Sequence, residues 1–243
     1  MRLLRWLVAA LAATCSGTAL AGAFGVSPIR VDLDAASRTG LVTITNDDER
    51  KLHFQVKLSE WTQDATGEDK YAESSDLLFF PQIFTVDPRD KRLIRIGVKG
   101  PPQQRERAYR LFIEEMPDPN AAPGGGAQIA VLLRFGVPVF VSNGTGEPVP
   151  EMMTPAVSKG AIRIPIRNNG TRQIRFEEIS LRAGERSIAK TAGWYVFPGV
   201  TRTFTLPITA QDCPVPAAAE LRATADGKEV RTTLEAAPAL CSP

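Results

Sequence analysis

The sequence predicts an all-β protein, built as two consecutive β-sandwiches of immunoglobulin type. Three observations carry that prediction. Short segments alternate apolar and polar residues with period two, as half-buried strands do. Polar clusters rich in Gly, Pro, Asn and Asp punctuate them. Beyond the first twenty-one residues, no stretch holds a helical period over three turns.

The elements follow in order. Gly25–Asp34 (GVSPIRVDLD) opens the first set, and strand alternation puts Ile29, Val31 and Leu33 on one face with Arg30 on the other. Gly40–Asn46 (GLVTITN) and Leu52–Trp61 (LHFQVKLSEW) flank the turn cluster NDDER, and Leu93–Val98 and Ala108–Met116 continue the pattern. The set closes on Ala127–Val141 (AQIAVLLRFGVPVFV), whose only polar side chains are one glutamine and Arg134. Ser142–Pro155 is rich in Gly, Pro and small polar residues. The linker is therefore placed at residues 144–155, between a first domain over 22–143 and a second over 156–243. Ala161–Gly170, Ile174–Leu181 and Thr201–Ile208 are the strands expected in the second. Two sets of short strands, each near 100 residues, suggest two sandwiches, and a single closed barrel is the alternative the pattern leaves open.

Residues 1–21 read as a secretory leader. Arg2 and Arg5 precede the apolar WLVAALAATC, and Ala19-Leu20-Ala21 supplies the small residues of a cleavage site. Cys15 invites a lipoprotein reading, which Thr14 and the later Ala-Leu-Ala site disfavour. No later segment reaches transmembrane length. The full chain carries 29 basic and 27 acidic residues, and loss of the leader arginines leaves 27 of each. A neutral chain gives no electrostatic case for nucleic acid or for an anionic membrane. Cys213 and Cys241 remain, and in an oxidising compartment they are expected to form a structural disulfide. A redox pair would be closer in sequence, and a metal site would need more ligands.

Catalytic chemistry finds little support. His53 is the only histidine and sits in a strand pattern between Leu52 and Phe54. No serine lies in a nucleophile elbow, and no glycine-rich loop joins a strand to a helix. Pro123–Ala127 (PGGGA) leads into a strand and reads as a flexible connection, while Asp87 and Asp90 read as solvated turn charges. The expectation is no catalytic residue, no cofactor and no metal.

The apolar ribbon 127–141 is the unusual feature. At 3.3 Å per residue it would extend to roughly 50 Å, more than one sandwich usually covers. The plain reading is a strand buried on both faces. Pro138 inside the run argues for an edge or bulge instead, because proline cannot donate to the ladder. The Pro- and Gly-rich Met116–Gly126 before it tethers the start of the ribbon loosely. An exposed apolar edge is an aggregation hazard unless it is kept for strand addition to another chain. Ile129, Val131 and Leu133 alternate onto one face, and burying each against a partner is worth roughly 1.5–3 kcal/mol gross. Arg30 and Arg134 lie in the two most apolar strands, and a guanidinium in a cleft can bind a carboxylate through two parallel hydrogen bonds.

Taken together, GVSPIRVDL, LVTITND, FQVKLSEWTQD, LLFFPQIFTVDP, RLIRIGV, ERAYRLFIEEMP, LRFGVPVFV, IPIRNNG and GWYVFPG resemble the periplasmic chaperones of the chaperone–usher pathway, which assemble surface pili. SPIRV and RFGVPVFV look most like the archaic or spore-coat-type branch. The resemblance implies two immunoglobulin-like domains set at an angle, with a subunit-binding cleft between them. It implies that the last strand of the first domain is lent to an incomplete pilus subunit, through Ile129, Val131 and Leu133. It also implies that Arg30 holds the subunit's C-terminal carboxylate. The family's best-studied branch has a lysine where this chain has Gly136, so Arg134 is the substitute expected. A wide Cys213–Cys241 loop also departs from the shorter bridge of part of the family. The partners implied are pilus subunits and an outer-membrane usher, without ATP, and a self-capping homodimer is an option for the free protein. A structural or adhesive fibre component is the second expectation, although GAFGVSPIRV runs directly into the first strand and leaves little to donate. A secreted β-rich hydrolase is the third.

Overall fold

The computed structural model describes residues 24–101, 103–119, 131–235 and 238–241, so the expected leader and Ile129 lie outside the described residues. The first set of strands is β1 (Phe24–Ser27), β2 (Val31–Leu33), β3 (Thr39–Asn46), β4 (Leu52–Gln63), β5 (Asp69–Glu73), β6 (Leu77–Phe80), β7 (Ile83–Val86), β8 (Lys91–Val98), β9 (Arg107–Met116) and β10 (Arg134–Val141). The second is β11 (Pro150–Met152), β12 (Ala156–Ser158), β13 (Ala161–Asn168), β14 (Ile174–Arg175), β15 (Glu178–Ala183), β16 (Arg186–Ala192), β17 (Tyr195–Val196), β18 (Thr201–Pro207), β19 (Glu220–Ala225) and β20 (Lys228–Thr233). Each set makes its own sandwich around its own core. The fold is all-β with two immunoglobulin-like domains, as the alternation required.

In the first domain, β1-β3-β8-β6 faces a six-stranded sheet ordered β2-β10-β9-β4-β5, with β7 also paired to β4. The alternating residues do the packing. Leu52, Phe54, Val56 and Leu58 of β4 meet Tyr109, Leu111 and Ile113 of β9 and Val137, Val139 and Val141 of β10 in one core. In the second, β13 lies between β18 on one edge and β11 with β12 on the other, opposite β16-β15-β19-β20. The segment expected as linker carries β11, whose Pro150–Met152 pairs antiparallel with Asn168–Ile166.

Two expected strands are each divided. Gly25–Asp34 splits into β1 in one sheet and β2 in the other, with Pro28 between them. A residue without an N–H suits the point where the chain leaves one ladder for another. This corrects the face assigned to Ile29, which is 69% exposed at the crossover, whereas Val31 and Leu33 are buried. Ile174–Leu181 likewise divides into β14 and β15. Phe176 turns into the core between them while its N–H donates to the Trp194 carbonyl at 3.1 Å.

Among the described residues, each domain has one fully buried asparagine, at the end of a core strand. Asn46 Nδ2 donates to the carbonyls of Arg50, Val86 and Asp87, and its Oδ1 accepts from Asp48 N. Asn168 Nδ2 donates to the carbonyls of Arg172 and Val196, and its Oδ1 accepts from Val149 N and Gly170 N. Both side chains satisfy turn backbone that the sandwich takes out of water. Cys213 and Cys241 form the expected disulfide across a separation of 28 residues, worth roughly 3.5 kcal/mol in the chain-entropy model. His53 lies on β4 with its Nε2 at 3.8 Å from Asp118.

Candidate functional site

The ribbon is two different things along its length. Val139–Val141 has a neighbour on each side, β9 and, in parallel, β2. From Arg134 to Pro138 only β9 pairs with it among the described residues, so the other edge is open. Pro138 marks the change. The row that faces the first core shows the same gradient: Val137 and Val139 are 0% exposed, Phe135 38%, Leu133 40% and Val131 76%. Leu133 is still tied to β9, its carbonyl accepting from Glu115 N at 2.9 Å. One row of side chains thus runs from a closed core into solvent.

The opposite row faces the second domain. Strand alternation carries Arg134, Gly136, Pro138 and Phe140 onto that face, with Ala108, Arg110 and Phe112 opposite them on β9. Phe140, Trp61 of β4, Tyr195 and Phe197 make an aromatic cluster that joins the domains. Trp61 lies edge-on to Phe197 and Tyr195 with centroids at 4.7 and 5.1 Å.

Cations line this cluster. The Arg30 guanidinium lies 4.8 Å from the Phe140 ring centre and donates twice to Asp32, at 2.8 and 2.7 Å. Burial disfavours its charge, but the Asp32 hydrogen bonds and field more than compensate, so its pKa rises above the ordinary arginine value. The Arg110 guanidinium lies over Trp61, 3.9 Å from the ring centre, with Trp194 at 5.8 Å, and donates to the Gly136 carbonyl at 2.9 Å. Arg175 of the second domain lies 5.8 Å from the Tyr195 ring.

The registers decide which cations meet. Val31 pairs with Val139, which brings Arg30 level with Pro138, and Arg110 is paired directly opposite Pro138 on the other side. The two backbones are therefore about 10 Å apart, two inter-strand spacings, within reach of a shared anion. Arg134 is four residues earlier, about 13 Å along the strand. It pairs with Glu114 at 2.9 Å and stacks on Phe112 at 3.8 Å. Arg30 and Arg134 are therefore not brought together, and the cation level with Arg30 across Pro138 is Arg110, which sequence reasoning did not single out. Its signal lay in AYRLFIEEM, where alternation sends Tyr109, Leu111 and Ile113 inward and leaves Arg110 outward beside an aromatic. Gly136 leaves space for the Phe112 ring, which a Cβ there would approach within 3.2 Å, while Arg110 Cδ would be at an ordinary 3.7 Å.

An apolar strand half open along one edge thus stands beside arginines packed on aromatic rings where two immunoglobulin-like domains meet. Residues 23–142 match the family described as pili and flagellar-assembly chaperone, PapD N-terminal domain, and the chain belongs to these chaperone–usher pilus-assembly chaperones. It is 24% identical over 138 residues to the probable fimbrial chaperone LpfB of Escherichia coli O157:H7, covering 56% of each chain. It is 26% identical over 133 residues to the chaperone protein FanE of Escherichia coli, covering 51% of this chain and 54% of that one. The chain thus spans about half the length of these curated relatives. The fold also matches a chain of the CsuC–CsuE chaperone–tip adhesion subunit pre-assembly complex from archaic chaperone–usher Csu pili of Acinetobacter baumannii. There the TM-score is 0.65 at 20% identity, covering 86% of this chain and 97% of that one. The Pseudomonas aeruginosa CupB2 chaperone matches with TM-score 0.58 at 17% identity, covering 86% and 97%.

Proposed function

We propose that this protein is a periplasmic, ATP-independent chaperone that captures incomplete pilus subunits by donor-strand complementation and passes them to an outer-membrane usher. The observation that carries this reading is the row on the ribbon that is buried at Val137 and Val139 and open at Leu133 and Val131. A subunit lacking one strand of its own sandwich would pair with the open edge by β-augmentation, and this row would complete its core. Ile129, outside the described residues, continues the same alternation. Arg30 and Arg110, flanking Pro138, would hold the subunit's terminal carboxylate, with Arg134 further along the same face. The chemistry is binding alone, and it asks for no cofactor, metal or nucleic acid. None of the helices among the described residues is long and apolar enough to cross a membrane. In the free protein the open edge favours a self-capping homodimer, and we place the domain boundary across residues 144–155.

The test is native mass spectrometry of the protein purified from the periplasm with its pilus genes expressed. A one-to-one complex with a small secreted protein is expected, and Arg30→Ala is expected to abolish it while the free protein stays folded. Unchanged capture by a folded Arg30→Ala protein would remove the carboxylate anchor. A bare monomer or homodimer from wild type would remove the chaperone reading itself.

A further inference from the structure

The joint between the domains holds a carboxylate that the capture reading does not use. Asp69 opens β5, immediately after the β4–β5 turn that reaches the second domain. Its Oδ2 accepts from Trp194 Nε1 at 2.8 Å, and its Oδ1 accepts from Gln63 Nε2 at 3.0 Å and from Arg202 Nη1 at 3.4 Å. Two of these donors, Trp194 and Arg202, belong to the second domain. Gln63 carries the bridge further, its Nε2 donating to the Tyr195 carbonyl and its Oε1 accepting from Phe197 N, both at 2.9 Å. Arg202 Nη1 also donates to the Gly67 carbonyl. At Gly67, with φ +83°, a Cβ would sit 2.6 Å from Arg202 Cα, so only glycine lets the turn come this close.

This bridge ends at the cleft. Trp194 contacts Arg110 from the side opposite the domain that carries Arg110, and Tyr195 and Phe197 pack on the same Trp61 ring that Arg110 covers. A guanidinium on two indoles keeps its donors aimed only while both rings stay in place. We infer that Asp69 is a positioning residue: by holding Trp194 and Arg202 it fixes the second domain against the first and keeps Arg110 aimed at the anion beside Pro138. This rests on the carboxylate-anchor reading above, and it adds that the selectivity for a free C-terminus is set from across the domain joint.

The experiment measures by calorimetry the binding of a short soluble peptide of alternating valine and threonine with a free C-terminal carboxylate, and of its C-terminal amide. Wild type is expected to prefer the free carboxylate. Asp69→Asn is expected to reduce that preference about fivefold, within the range for a residue acting through a neighbour. Trp194→Phe keeps a ring but removes the donor to Asp69, and is expected to move the preference the same way if Asp69→Asn folds poorly. A purely structural role would weaken both peptides alike and leave their ratio unchanged, and that result in both variants overturns the inference. Absence of any preference in wild type would instead overturn the anchor reading, and this one with it.

Discussion

The two sandwiches solve one local problem in the same way and a larger one in opposite ways. Asn46 and Asn168 each end a core strand and close the turn four residues on, at Arg50 and Arg172, by donating to its carbonyl. The second domain ties its last described residues back to the loop after β18 through the Cys213–Cys241 bridge. The first domain ends on a strand that is interior at Val139–Val141 and open from Arg134 to Pro138. The comparison teaches that within β10 openness belongs to one half of the strand. The other half is held between two neighbours, so the open edge extends from a paired base.

The comparison can be broken most sharply at the disulfide. Replacing Cys213 and Cys241 together by serine is expected to cost roughly 3.5 kcal/mol. The loss should fall on the second domain, read by amide hydrogen exchange, with protection of β4 and β9 unchanged. Equal loss in both domains would mean that they unfold as one unit. Next come the two asparagines. Asn46→Ala and Asn168→Ala each strand several turn groups and are expected to cost about 3 kcal/mol, each lowering protection in its own domain only.

A third comparison lies within β10. Val139→Ala removes two buried methyl groups and is expected to cost about 2 kcal/mol of stability. Val131→Ala, at an exposed position, is expected to leave the melting temperature unchanged while weakening subunit capture. If Val131→Ala changes stability and not capture, the open half is ordinary core. The smallest effect concerns Glu106, buried at the joint, where it accepts from Gln173 N at 2.8 Å beside Arg172 at 3.5 Å. Burial pushes its pKa above the ordinary glutamate value despite the Gln173 hydrogen bond and the nearby Arg172 and Arg30. The folded protein then binds more protons than the unfolded chain between the two values. Stability is therefore expected to rise as pH falls through the raised value toward the ordinary one. Glu106→Gln should flatten that slope in denaturant titrations.

Much of this was legible in the sequence because alternation maps directly onto burial. Leu52, Phe54, Val56 and Leu58 alternate in the chain and all lie in one core. The crossovers were hidden, since Ile29, Val31 and Leu33 alternate just as well when Ile29 is outside the sheet. β5, β6 and β7 escaped notice because they are four or five residues long and present few inward side chains. At the joint, Arg30 stood out from its own segment, just ahead of β2. The place of Arg110 did not, because it depends on the register of β9 against β10 and on indoles from residues 61 and 194, and no local pattern encodes either.

The aromatic joint has a consequence for measurement. Trp61 and Trp194 are the two tryptophans among the described residues, and their ring centres are 6.3 Å apart, one from each domain. Ultraviolet emission from this pair therefore reports the joint between the domains, together with the edge of the second core on which Trp194 packs. If the domains part before either core unfolds, a denaturation curve followed by tryptophan light registers that step first. The same signal followed while a partner is added would report whether the joint changes, without any added label.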